Sequence, residues 1–222
     1  MRRLLINSMI PKANSCYYLI IQMPKLALVR HGQSEWNALN LFTGWADRVL
    51  TPQGFAQARE SANKLKGIKW DLIFESDLER VKESAEVTIK TLHLRIPVIE
   101  NEALRERSYG IYTQKNKEEV KAILGPDFEK FHRGWDFPIA KGESLKQVYE
   151  RVVPYYLAEI EPRLKEGNNV IVFASHNSLR ALVKYLKNIS DEDITNFEIQ
   201  TGEVLIIDYT SPPVPPDPSP QT

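Results

Sequence analysis

The stretch RHGQSEWN, residues 30–37, places one imidazole between a guanidinium and a glycine, with a hydroxyl three residues on and an amide six on. A second imidazole stands in Ser175-His176-Asn177, and Glu75-Ser76 leads within one helical turn to Arg80. Two histidines and two arginines make an inventory for phosphoryl chemistry. Imidazole can accept a phosphoryl group covalently, and guanidinium forks match phosphate oxygens and offset their charge. Taken singly, each piece has an ordinary explanation: an incidental loop for Arg30-His31-Gly32, an ion-paired helix arginine for Arg80, a carbonyl-bonded side chain for His176. Convergence is what would make them a site, and that depends on the elements carrying them.

KLALV, residues 25–29, is a continuous apolar run, as a strand buried on both faces should be, so Arg30 and His31 follow its carboxyl end. Thr51 and Pro52 mark a helix start as N-cap and first helical residue. Phe55, Ala58, Ala62 and Leu65 then form one apolar helical face ending near Gly67. DLIF (71–74) reads as the next buried strand, with Leu78, Val81, Ala85 and Ile89 on the helix after it, and PVIE (97–100) as a third strand. This βαβαβ pattern predicts a three-layer α/β/α fold on a mostly parallel, doubly wound sheet with right-handed crossovers. Residues 101–142 lose periodicity and gain charge and aromatics, which suggests an inserted loop-and-helix region over the sheet edge. Ser144 and Gln147 make a capping box for a helix that Pro154 should kink and that reaches about Lys165. NVIVFA (169–174) is a strand, Leu179, Leu182, Val183 and Leu186 share a helical face, and VLIIDY (204–209) closes the sheet. Both histidines thus sit where a buried strand hands over to a helix, at the sheet end where open α/β folds collect ligands.

Composition narrows the function. Lys plus Arg and Asp plus Glu both total 29, so no global field attracts nucleic acid or an anionic membrane, and neither is expected as a partner. Cys16 is the only cysteine, which fits a reducing, cytoplasmic location. Only four histidines occur and none has metal-ligand spacing, so no metal is expected. No run of about 18 apolar residues exists. Residues 1–22 begin basic but are split by Pro11 and KANS. We read them as an extension ahead of a domain spanning 23–210, a targeting peptide being the other reading. Residues 211–222 hold six prolines in twelve positions and should be extended and mobile.

LVRHGQSEWN, LFTGWAD, LTPQG, LRERSYG and NSLRALVKYL, in that order, resemble the signatures of the cofactor-dependent phosphoglycerate mutases of the histidine phosphatase superfamily, in their short form. The resemblance runs from about Lys25 to Tyr209. It implies a glycolytic enzyme that interconverts 3- and 2-phosphoglycerate through a phosphohistidine primed by 2,3-bisphosphoglycerate. It implies His31 as nucleophile, with Arg30, Arg80 and His176 around the transferring phosphoryl group. Glu106 matches the family's proton donor and acceptor; from the residues alone it reads as an ion-pair partner of Arg105 or Arg107. Ser34, Asn37, Thr43, Gly44, Tyr109, Lys117, His132, Arg133 and Asn177 match residues that hold phosphate or substrate.

Several positions depart from the family pattern. A gap-free alignment puts Ser175 under the family's second histidine and His176 under a glycine; His176 is favoured because no other imidazole is available there. His132 precedes Arg133 where many relatives carry two arginines, which predicts weaker binding of the primer or a pH-dependent affinity. A segment that longer relatives carry between RGWDF and KGESL is missing, and since it contributes to subunit contacts in some of them, a homodimer is the oligomer to test. The proline-rich tail also lacks the lysines often found in a closing C-terminal segment. Two rivals share the inventory: a phosphatase on the same fold, and a non-catalytic protein that binds phospholigands.

Overall fold

The computed structural model describes residues 23–210. The extension expected over 1–22 and the proline-rich tail at 211–222 lie outside the described residues. Five strands form one sheet: β1 (Lys25–Arg30), β2 (Leu72–Glu75), β3 (Val98–Glu100), β4 (Val170–Ala174) and β5 (Val204–Asp208), in the order β3-β2-β4-β1-β5. All neighbours are parallel except β5, which runs antiparallel to β1 at the edge. The helices are α1 (Glu35–Ala38), α2 (Pro52–Lys64), α3 (Glu79–Leu92), α4 (Lys117–Leu124), α5 (Phe128–Arg133), α6 (Leu145–Tyr155), α7 (Glu161–Lys165) and α8 (His176–Leu186).

Side-chain alternation along the central strands builds the three layers. Leu26 and Leu28 of β1 and Val170 and Val172 of β4 face a core shared with Val148, Val152, Leu164 and Leu182 from α6, α7 and α8. Ala27, Val29, Ile171 and Phe173 face the opposite core, shared with Val81 and Ala85 of α3 and with Leu65 after α2. β3 falls within the third strand expected from PVIE. It spans three residues at the sheet edge, and Val98 and Ile99 are exposed.

The helix starts follow their local chemistry. Thr51 accepts from the Gly54 amide at 3.1 Å, and Ser144 and Gln147 close the expected capping box. Pro154 cannot donate to the helix ladder, and the chain passes through a π-helical turn at Tyr156–Ile160 before resuming as α7. The inserted region carries a small core of its own: Phe42, Tyr109, Val120, Phe128, Phe131 and Ile139 pack together. Phe42 reaches this core from the loop after β1, so it ties the inserted region to the loop that follows His31.

Candidate active site

A cavity of about 370 Å³ is lined by residues from β1, the 31–50 loop, α3, the inserted region and the start of α8. It contains twelve of the residues singled out by sequence: Arg30, His31, Asn37, Thr43, Gly44, Arg80, Glu106, Tyr109, Lys117, His132, Arg133 and His176. β1 and β4 are neighbours, so the segments after them deliver His31 and His176 to the same mouth.

His31 is 2% exposed. Its Nδ1 lies 2.6 Å from the Gly32 carbonyl, and a carbonyl can only accept, so Nδ1 carries the proton and Nε2 keeps the lone pair. Arg80 Nε donates to that Nε2 at 3.3 Å, while its two terminal nitrogens donate to the carbonyls of Ala46 (3.0 Å) and Gly44 (2.8 Å). Burial, then the charges of Arg80 and Arg30, hold the His31 imidazole well below its ordinary pKa, so it is neutral. The same burial lowers Arg80 to about 10. The loop carrying His31 is clamped by backbone contact: a Cβ on Gly54 would lie 2.1 Å from the Gln33 carbonyl oxygen, and one on Gly32 2.2 Å from that of Gly54. Gly54→Ala should therefore cost about 3 kcal/mol and displace the loop that carries His31, lowering any activity that depends on it. Urea unfolding monitored alongside activity checks this.

Glu106 is held by one carboxylate oxygen, which accepts from the amides of Arg107 (2.7 Å) and Asn177 (3.1 Å). Its main-chain carbonyl accepts from Trp45 Nε1 (2.6 Å) and Arg151 Nη2 (2.8 Å). Glu106 thus has no salt bridge to Arg105, which pairs with Asp77 and Glu102. Arg107 is fully buried, donates to the carbonyls of Phe131 (3.1 Å) and His132 (3.2 Å), and lies over the Tyr109 ring at 4.8 Å.

Ser34 and Asn177 are buried and are not among the residues that line the cavity; each bonds to residues that are. The Ser34 amide and hydroxyl both donate to Asn37 Oδ1, at 3.1 and 3.0 Å. With its oxygen so engaged, Asn37 has its NH₂ donor left for a ligand. Asn177 donates its amide to Glu106 and its Nδ2 to the Tyr109 hydroxyl at 3.1 Å, so its polar groups orient two cavity residues.

The serine-histidine inversion is accommodated by where the helix begins. β4 ends at Ala174, Ser175 occupies the N-cap position without a capping bond, and His176 is the first residue of α8. Ser175 is buried with its hydroxyl unpartnered. His176 springs from the helix into the cavity, and its Nε2 lies 3.1 Å from a carboxylate oxygen of Glu198.

His132 packs against Phe128 and Phe42, with ring centroids at 5.2 and 5.8 Å. Burial and then Arg133 press its pKa down to about 3, so the expected pH-dependent affinity does not arise from titration of His132 near neutrality in the ligand-free protein. His176 is likewise lowered, by burial and then Arg30. These three lowered histidines predict acid sensitivity. On unfolding, each takes up a proton as pH falls through about 6.5, whereas the native protein does not. Their contribution is therefore complete above that pH and lost below it, each steepening the loss by up to about 1.4 kcal/mol per pH unit. Urea midpoints at about pH 7.5 and about pH 5 should differ less for His132→Phe than for the wild type.

Sequence reasoning missed four groups. Glu198 and Gln200 line the cavity from the segment before β5, where no periodicity or motif marks them. Arg107 and Arg180 are fully buried behind it, although both lie inside recognised motifs. Arg180 donates to Asn177 Oδ1 (3.0 Å) and to the carbonyls of Arg133 (2.9 Å) and Ile194 (2.6 Å). Both arginines bond to neutral acceptors, so the wall behind the cavity keeps its positive charge. Among the described residues no cluster of side chains is suited to hold a metal ion, and no helix is long and apolar enough to cross a membrane.

The chain is similar to proteins whose names agree with this arrangement. Residues 26–212 match the model of the histidine phosphatase superfamily, branch 1. It is 43% identical over 190 residues to a 2,3-bisphosphoglycerate-dependent phosphoglycerate mutase of Cytophaga hutchinsonii, covering 85% of this chain and 89% of that protein. It is 44% identical over 189 residues to the protein of the same name from Parvibaculum lavamentivorans, covering 83% and 90%. Among solved structures, Bacillus stearothermophilus YhfR superposes with a TM-score of 0.76 at 23% identity, covering 85% and 93%, a likeness of fold. On these matches the chain belongs to the histidine phosphatase superfamily and, within it, to the family of the 2,3-bisphosphoglycerate-dependent phosphoglycerate mutases.

Proposed function

We propose that this protein interconverts 3- and 2-phosphoglycerate through a phosphohistidine at His31, as a cytoplasmic enzyme of glycolysis. The observation that carries the reading is the neutral His31, whose Nε2 lone pair meets Arg80 in a cavity lined by cations.

The donor set suits a multiply anionic ligand. Arg30 Nε, Thr43 Oγ1 and Arg133 Nη1 are buried donors without a protein partner, and all three residues line the cavity. Buried unpaired donors are costly, and ligand oxyanions would relieve that cost. When bound, 2,3-bisphosphoglycerate supplies the phosphoryl group that charges His31. Arg30 and Arg80 bind the phosphoryl oxygens and offset the charge that develops, while His31 presents Nε2 in line. Nδ1 keeps its proton on the Gly32 carbonyl throughout, which fixes the ring and disperses the positive charge the imidazole gains. Glu106 takes the proton of the attacking substrate hydroxyl and returns one to the leaving oxygen, so one carboxyl group serves both directions of a reversible transfer. Lys117, Arg133 and Tyr109 hold the carboxylate and second phosphate, and Asn37, Thr43 and the Gly44 backbone complete the grip.

The test is conversion of 3- to 2-phosphoglycerate by chelator-treated protein, with and without catalytic 2,3-bisphosphoglycerate, with released phosphate measured in the same tube. Primer-dependent conversion with little free phosphate supports the mutase. Phosphate release without conversion assigns the site to hydrolysis instead.

A further inference from the structure

Glu198 has no place in the chemistry above, yet it sits within the cavity. It follows the 3₁₀ turn Asp193–Asn196, and its carboxylate forms an ion pair with Arg133 Nη2 while its other oxygen lies 3.1 Å from His176 Nε2. Arg133 is only half used by this pairing, because its Nη1 is buried and unpartnered. A ligand carboxylate or phosphoryl group could engage both nitrogens of the fork, the stronger arrangement.

The backbone beside Glu198 is fixed. Ile199 is fully buried and its carbonyl accepts from Arg30 Nη1 at 2.5 Å, while the Gln200 amide donates to Glu203 at 2.5 Å. The Glu198 side chain itself is 38% exposed, so rotation of that side chain alone would clear Arg133.

We propose that Glu198 is a specificity-determining residue whose carboxylate takes the place of a ligand's second anionic group on Arg133, so that a ligand with two anionic groups must displace it and one with a single phosphoryl group need not. Its effect is to weaken two-anion ligands selectively. Of the groups placed around the first phosphoryl group only His176 meets it, as a neutral imidazole; the cations Arg30 and Arg80 do not bond to it. The inference rests on the mutase reading for its natural ligand, so it is tested with two probes of the two-anion class.

The experiment is calorimetric titration of the full chain with 2,3-bisphosphoglycerate, with pyrophosphate and with inorganic phosphate, comparing wild type, Glu198→Gln, Arg133→Gln and the double variant. Glu198→Gln is expected to tighten the two-anion probes roughly three- to tenfold and to leave inorganic phosphate within about twofold. The gain should vanish when Arg133 is already glutamine, which a general change in fold or field would not produce. Unchanged or weaker binding of both two-anion probes by Glu198→Gln overturns the inference, since a bracing role for Arg133 predicts weakening. An equal gain for inorganic phosphate, or a gain that persists without Arg133, overturns it too. A gain with pyrophosphate but no binding of 2,3-bisphosphoglycerate supports the role of Glu198 and removes the mutase reading. No gain alongside primer-dependent conversion removes the role of Glu198 alone.

Discussion

Replacing His31 with alanine should abolish the acid-labile phosphoryl adduct formed from 2,3-bisphosphoglycerate and lower turnover by roughly 10⁴- to 10⁶-fold, the scale seen when a covalent nucleophile is removed. No neighbouring group can take over. His132 is packed between phenylalanine rings, and His176 faces Glu198 and Arg133. The variant should still fold, because the Gly32–Gly54 backbone contact that clamps the loop does not involve the imidazole. It should also lose less stability than the wild type on acidification, since one histidine that is held neutral by burial is gone. An adduct at wild-type level, read by acid lability of radiolabelled protein, would remove His31 as the nucleophile.

Glu106→Gln should lower kcat by about 10²–10⁴, the range for removing a general acid and base. The substitution is informative because it preserves geometry. Glutamine keeps a carbonyl oxygen to accept from the amides of Arg107 and Asn177, so the bracing bonds survive while proton transfer does not. KM should stay level or fall, since a negative charge is removed from among Arg30, Arg80 and Lys117. If turnover instead falls less than about threefold, Glu106 only shapes the site, and the proton must be carried by another group.

Arg30 and His31 were legible because a buried strand shows as a continuous apolar run and its end is therefore visible. Thr51, Ser144 and Gln147 were legible because caps are local chemistry, satisfied within three residues. His176 was harder to place. In a strand a one-residue shift turns a side chain to the other face, but the structure begins α8 at His176, and at a helix start direction is set by the turn and the loops that meet it.

By itself, then, the sequence determined the strands, the helix caps and the placement of Arg30, His31 and His176 after strand ends, since each depends on periodicity or short-range bonding. It did not determine that β4 would lie between β1 and β2, because strand order follows from which apolar faces find each other across about a hundred residues or more. That order is what brings His31 and His176 to one cavity. Nor did it show that Ser34 and Asn177 bond to residues that line the cavity without lining it themselves, or that Glu198 crosses from the segment before β5 to meet Arg133. Only tertiary packing decided those positions, because a polar side chain in a loop carries no period to announce which way it will point.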